Sequence, residues 1–262
     1  MKRFLTFILG IICVFGIAQD NKETIVVEYN LEYISDSTST NKRNENFKLI
    51  IQDGKSYFAS SNFIKRDSIV AEMQKNVMAG FLSMGASNNT SFKYVLIKNN
   101  EQQSFYDKFL KNYLSYDENV KFDWKLHNET IKLGELTCQK ATTQYGGRDW
   151  VAWFTPDIPI NNGPYKFYGL PGLIVKVEDT KGHYSFDMIT LKTREPIKNN
   201  IFEEKYLKLH TKTTKEKYRK SIENFKENII HELARNNFYA HPDSVKGIQE
   251  LNKKQNNPIE LK

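Results

Sequence analysis

Along most of the chain the apolar positions recur every second residue, and in two stretches the period lengthens to three or four. Residues 24–34 carry Val26, Tyr29, Leu31 and Tyr33, the last three in strict alternation. Phe47, Leu49 and Ile51 alternate next, Asp53-Gly54 supplies a tight turn, and 55–60 returns, which predicts a β-hairpin with a primed turn. Further strands are predicted over 92–97, 104–109, 122–126, 136–145, 149–154, 173–178 and 183–191, with reversals at Asn99-Asn100, Gly146-Gly147 and 179–182. In 64–82, Ile69, Met73, Val77 and Phe81 recur every four residues, which predicts an amphipathic helix with Asp67 as a cap. In 213–236, Tyr218, Ile222, Phe225, Ile229 and Leu233 mark one face of a second helix, opened by a Thr213/Glu216 capping box.

Short strands that follow one another without intervening helices predict an α+β fold. Its expected form is one large, curved antiparallel sheet, half-barrel-like in outline, with two long helices packed against it. Residues 19–240 are expected to form a single domain, and 241–262 a polar, loosely held tail.

The first residues follow another pattern. Lys2 and Arg3 precede an apolar run over 4–17, interrupted by Thr6 and Gly10, and the small residues Gly16 and Ala18 follow. This is the layout of a secretory signal peptide over 1–18, and the run is short for a bilayer span, which needs about 20 apolar residues. Ile12 before Cys13 argues against lipidation. The protein is therefore expected to be exported, to the periplasm or otherwise outside the cytoplasm, with no stable membrane span after cleavage. Cleavage removes two of the positive charges behind the formal +7 and no acid, leaving +5. The densest basic stretch, 208–226, coincides with the second amphipathic helix, which predicts a solvated face rather than a nucleic-acid stripe. Cys138 is the one cysteine left after cleavage; it cannot form an intramolecular disulfide and is expected to be buried and unreactive.

Four of the seven prolines fall between Pro156 and Pro171, in an aromatic-rich loop that ends Gly169-Leu170-Pro171-Gly172-Leu173-Ile174. Pro171 and Gly172 suit the central positions of a type II turn that feeds Leu173 into a buried strand. The sequence resembles the GLPGLI family of secreted proteins of bacteroidete-type bacteria, named for this hexapeptide. Trp124, Gly134, Cys138, Lys140-Ala141, Gly147-Arg148, Ala152-Trp153, Ile158-Pro159 and Gly163-Pro164 fit the family's pattern over about 124–178, and Gly54, Ser56 and Phe58 fit its N-terminal hairpin. The resemblance implies no established activity. It implies an association with outer-membrane receptor-like proteins.

No catalytic constellation stands out. There is no HExxH, CxxC or phosphate loop, no G-x-S-x-G, and the histidines are scattered. Cys138, His183 and Asp149 could be assembled as a triad only by the fold. No catalytic residue, metal ligand or cofactor is therefore expected. What remains is binding surface. Trp150, Trp153, Tyr165, Phe167 and Tyr168 cluster within nineteen residues, and Met73 and Met78 lie on a helix that could act as an adaptable lid. Alternation puts Trp150 and Phe154 on one sheet face and Trp153 on the other. The expected function is a non-enzymatic envelope protein that binds an apolar or extended small molecule between sheet and helix. The alternatives are a module that partners an outer-membrane protein, for example at a sheet edge, and an unrecognised hydrolase.

Overall fold

The computed structural model describes residues 24–75, 90–99, 101–193, 202–237, 239 and 241–262. Tight turns and alternating side chains produce two antiparallel meanders. The first holds β1 (Ile25–Tyr33), β2 (Arg43–Gln52), β3 (Lys55–Ser60), β4 (Val95–Asn99), β5 (Gln102–Phe109) and β6 (Asn112–Asn119). The second holds β7 (Lys125–Leu133), β8 (Leu136–Tyr145), β9 (Arg148–Thr155), β10 (Leu173–Asp179) and β11 (Tyr184–Thr193). Pairing of β1 with β11 joins them into one open sheet of 12 strands, which β12 (Thr211–Lys212) completes by parallel pairing with β6. The β2–β3 turn is of the predicted kind, with Asp53 and Gly54 at φ of 53° and 72°. Register shifts in β1, β7 and β10 bend the sheet.

The helices differ from expectation. Among the described residues α1 (Ser61–Lys75) starts straight out of β3, where the Ser60 hydroxyl accepts from the Phe63 N–H at 3.2 Å, so Ser60 caps it rather than Asp67. Residues 76–82 of the predicted helix lie outside the described residues. A short α2 (Glu204–Leu207) precedes β12. The predicted 213–236 helix is two pieces, α3 (Lys215–Glu227) and α4 (Ile229–Arg235), split at Asn228, whose φ of −109° and ψ of 28° leave the helical region. Its cap is Thr214, one residue later than predicted, accepting from the Lys217 N–H. The fold is thus mostly β, not a sheet with two long helices.

The tail departs most. Instead of lying loose, 242–253 forms α5 (Pro242–Lys253), and the last residues run back across the sheet as a strap. The Asn257 N–H donates to the Ser35 carbonyl, its side-chain amide to the Ile34 carbonyl at 2.6 Å, and the Leu261 N–H to the Gly146 carbonyl at 2.6 Å.

The main core lies on the sheet face that also receives loop 156–172, α3 and the strap. Phe47, Phe58, Leu96, Phe105, Trp150, Phe154 and Phe186 all point there. Helix α1 sits on the opposite face, with Phe63 and Ile64 against Ala59 and Val95.

Candidate functional site

Two polar side chains in the floor of the sheet hold the proline-rich loop. Lys98 and Gln103 face each other across β4 and β5. Lys98 Nζ donates to the Gly163 carbonyl at 2.7 Å and the Gln103 amide to the Lys166 carbonyl at 2.9 Å. Burial, with no carboxylate to offset it, pushes the Lys98 amine well below the usual lysine range. These bonds satisfy carbonyls that an irregular loop would otherwise bury unpaired.

The end of the loop is fixed by backbone proximity. The Gly172 N–H reaches the Leu170 carbonyl at 2.8 Å, closing a three-residue turn around Pro171 in place of the expected type II turn. Pairing of Leu173 with Thr155 draws this backbone against β9. Gly172 has φ of 152°, and a Cβ there would lie 2.1 Å from the Thr155 carbonyl oxygen. Leu173 and Ile174 are fully buried, as the motif implies.

The loop delivers one charge into this interior. Lys166 is fully buried and pairs with Glu118 of β6 and with Glu260 of the strap, the latter at 2.5 Å. Lys215, at the start of α3, joins the same two carboxylates, at 2.8 Å to Glu118 and 2.7 Å to Glu260. The hydroxyls of Tyr165 and Tyr145 donate to Glu260 at 2.5 and 3.1 Å, and Lys166 lies over the rings of Phe105, Tyr116 and Tyr165. Burial opposes ionisation of Glu260, but Lys166 and Lys215 outweigh it and hold the carboxyl at about 2. A second cation grips the strap further back. Arg148 is buried against Asp179 at 2.7 Å and donates to the Asn257 side chain and to the carbonyls of Pro258 and Ile259. Gly146 lies directly beneath this crossing, where a Cβ would sit 3.1 Å from the Glu260 backbone.

Between the sheet, α3 and the strap lies a cavity of about 380 Å³. Its sheet wall is aromatic: Tyr33, Phe92, Tyr94, Phe105, Tyr184 and Phe186. Tyr94 stacks on Phe105 at 4.9 Å, and Phe105 meets Tyr218 of α3 edge-on at 5.7 Å. Tyr218 donates to Asp107 at 2.6 Å; burial raises the Asp107 carboxyl despite that bond. The α3 wall holds Tyr218, Arg219, Ile222 and Lys226, and no residue of that helix is fully buried.

Of the binding residues expected from sequence, Tyr165 lines the cavity. Trp150 and Phe167 are core, ring to ring at 4.8 Å, with the Trp150 indole N–H on the Tyr145 carbonyl. Trp153 is half-buried on the other face, as alternation predicts. Tyr168 is half-buried, with its hydroxyl on the Val120 carbonyl and its own carbonyl taking the Trp124 indole N–H. The Met73 side chain and Met78 lie outside the described residues.

Cys138 is buried on β8, where burial and then the negative charge of Asp157 push its thiol up to about 11. Asp149 bonds Gln144 near the turn of the β8–β9 hairpin, about 20 Å along the strand from Cys138 at ~3.3 Å per residue. His183 lies against Arg148, so the triad is not assembled. Among the described residues no three His, Cys, Asp or Glu side chains are grouped to hold a metal ion.

The residues that form the site were for the most part not singled out by sequence: Lys166, Lys215, Glu118, Glu260 and Asn257. One signal was present. Lys166 stands between Tyr165 and Phe167 in an apolar loop, and a charge in such surroundings requires a buried partner.

Comparisons with known proteins bear on the same region. A family model described as "Protein of unknown function (Porph_ging)" matches residues 146–176, the stretch that holds Arg148, Lys166 and the Gly169–Ile174 hexapeptide. No curated protein matches the chain. Among solved structures, PNGF-II in its C2 and P21 crystal forms is similar at a TM-score of 0.51 and 16% identity, over 76% of this chain and 32% of that one. The chain thus spans about a third of PNGF-II, and the likeness is one of fold. A putative outer membrane lipoprotein-sorting protein domain from Vibrio parahaemolyticus matches at a TM-score of 0.29 and 12% identity, over 72% of this chain and 93% of that one, too distant to support any inference. Among the described residues no helix is long and apolar enough to cross a membrane.

Proposed function

We propose that the protein is an exported envelope protein of the GLPGLI family that binds an extended, largely apolar small molecule between the sheet and α3. The observation that carries this reading is the aromatic cavity of about 380 Å³, which falls in the size range of small-molecule sites, roughly 300–1,000 Å³. The sheet wall is rigid, because each of its rings is packed into the main core. The α3 wall is lighter: the helix is held at its start by Lys215 and Tyr218 and at its end by the bond from the Asn252 amide to the Lys226 carbonyl. Admission of a ligand by movement of α3 against a half-barrel-like sheet fits this asymmetry. The lid is therefore α3 rather than the Met-bearing α1, which packs on the opposite face.

Pairing of a partner on the open edge strand β7 is the less favoured reading. That strand has a register shift between Leu126 and Thr130 and exposes Lys125 and Lys132, features that blunt an edge.

The test is a fluorescence titration with 1-N-phenylnaphthylamine, an apolar probe. Ile222 is half-buried on the cavity side of α3, and Ile222→Trp fills the space. Saturable binding to the wild type, reduced at least about tenfold by Ile222→Trp in a folded variant, is the expected result. Equal binding by both would remove the cavity as the site.

A further inference from the structure

Charge around the cavity is uneven in the bonds it still has to offer. Arg43 of β2 and Arg219 and Lys226 of α3 all line it. Arg43 lies near enough to Tyr33 for its charge to oppose the rise that burial gives that hydroxyl, Arg219 reaches the Leu261 carbonyl at 3.4 Å, and Lys226 donates to the Gln255 carbonyl at 2.9 Å. Among the described residues none of the three has a carboxylate within salt-bridge distance, 4.0 Å. The acids that line the same space are placed differently. Asp107 already accepts from the Tyr218 hydroxyl and the Lys108 N–H. Glu260 is committed to Lys166 and Lys215. Glu223 is exposed on α3 beside Lys226 and adds the one opposing charge. Three guanidinium or ammonium groups thus keep donors free around an apolar chamber whose acids are mostly occupied.

We infer that the ligand is an anionic amphiphile: one carboxylate or phosphate head held by Arg219, Lys226 and Arg43, and an apolar body among Tyr94, Phe105 and Phe186. This rests on the cavity being a ligand site, as proposed above. At about 380 Å³ the cavity falls within the range of small-molecule sites, roughly 300–1,000 Å³. A ten-carbon chain with its head is a ligand of that class. The rival chemistry is cationic, because aromatic faces also attract ammonium groups. The rim cations disfavour it by like-charge repulsion.

The experiment is isothermal titration calorimetry of the chain lacking 1–18 with decanoate, decyl phosphate, decan-1-ol, decyltrimethylammonium and inorganic phosphate. Decanoate and decyl phosphate are expected to bind at least about tenfold more tightly than decan-1-ol, the scale of a hydrogen bond to a charged group. Decyltrimethylammonium is expected to bind more weakly than the alcohol. Arg219→Gln with Lys226→Gln should remove most of the preference for decanoate over decan-1-ol, with Arg43 alone left to hold the head. Lys217→Gln with Lys220→Gln, an equal charge loss on the exposed side of α3, should retain the preference. Equal binding of alcohol and carboxylate, tighter binding of the cation, or loss of the preference in the Lys217/Lys220 variant would overturn the anionic assignment and leave the cavity reading standing. Binding of inorganic phosphate as tight as that of decyl phosphate would overturn it as well, because the body would contribute nothing. Absence of binding by every decyl compound would overturn both.

Discussion

Replacing Glu260 with Gln tests whether the strap is held by charge. In the folded chain Glu260 ionises at about 2 instead of its ordinary 4.5, against the opposing effect of burial, because Lys166 and Lys215 both contact it. A group whose folded pKa is depressed binds fewer protons folded than unfolded. Its contribution is therefore complete above pH 4.5 and is lost as pH falls through about 2. The shift corresponds to about 3 kcal/mol, and the Glu260 side chain, 11% exposed, is shielded enough for solvent screening to matter little. Glutamine has the same shape and its carbonyl can still accept from the hydroxyls of Tyr165 and Tyr145, but its NH2 cannot accept from Lys215, so Glu260→Gln removes the charge together with that bond, as protonation of Glu260 does. Urea denaturation at several pH values, on wild type and variant together, isolates this network, since carboxylates outside it titrate alike in both and only Glu118, which shares Lys166 and Lys215, is coupled to the change. The expected difference is about 3 kcal/mol at pH 7, about half of that at pH 3, and close to zero at pH 2. A difference that stays constant from pH 7 to pH 2.5 would show that the variant acts through packing, and a difference near zero at pH 7 would show that the network contributes nothing.

Two further outcomes follow from the same geometry. Gly172→Ala forces a Cβ to within 2.1 Å of the Thr155 carbonyl oxygen, so it should cost about 3 kcal/mol or more and lower the melting temperature; an unchanged melting temperature would contradict the close approach of β9 and the loop. Cys138, with its thiol up at about 11, should carry on the order of one thiolate in ten thousand at pH 7 and label slowly with a thiol reagent until the chain is denatured, whereas fast native labelling would mean the thiol is exposed and activated.

Much of the sheet was legible because a strand with one buried face must alternate. β1, β2, β3, β8, β9, β10 and β11 were all read from that pattern to within a few residues. β6 was missed because its inner face ends in Glu118, which makes Asn112–Asn119 look like a polar linker. β7 was missed in large part because it is an edge strand with few buried positions and therefore has little pattern to read. The apolar stripe from Tyr218 to Leu233 was real, but periodicity does not register the single residue, Asn228, at which the backbone breaks step. The aromatic residues chosen as binding candidates turned out, except Tyr165, to lie outside the cavity, because aromatic density alone does not separate the filled core from the space beside it.

The strap was misread for a physical reason that also explains how it is built. A polar tail suggests solvation only when the rest of the protein leaves no polar group unsatisfied inside. Here Lys166 and Arg148 are buried in an aromatic interior, and an isolated cation there would cost several kcal/mol. Glu118 and Asp179 neutralise them only in part, and the missing acceptors are the Glu260 carboxylate, the Asn257 amide and the carbonyls of 258 and 259, at a sequence separation of 94 for the Lys166–Glu260 pair. The tail is polar because its partners are. Buried ion pairs of this kind add little net stability over apolar packing, but they fix one geometry and penalise any other. For a cavity wall that consists of a lightly packed helix and a terminal strap, this is the useful property. The bonds at Lys215 and Glu260 place α3 and the strap over the aromatic face together rather than separately, and no residue of α3 is fully buried there.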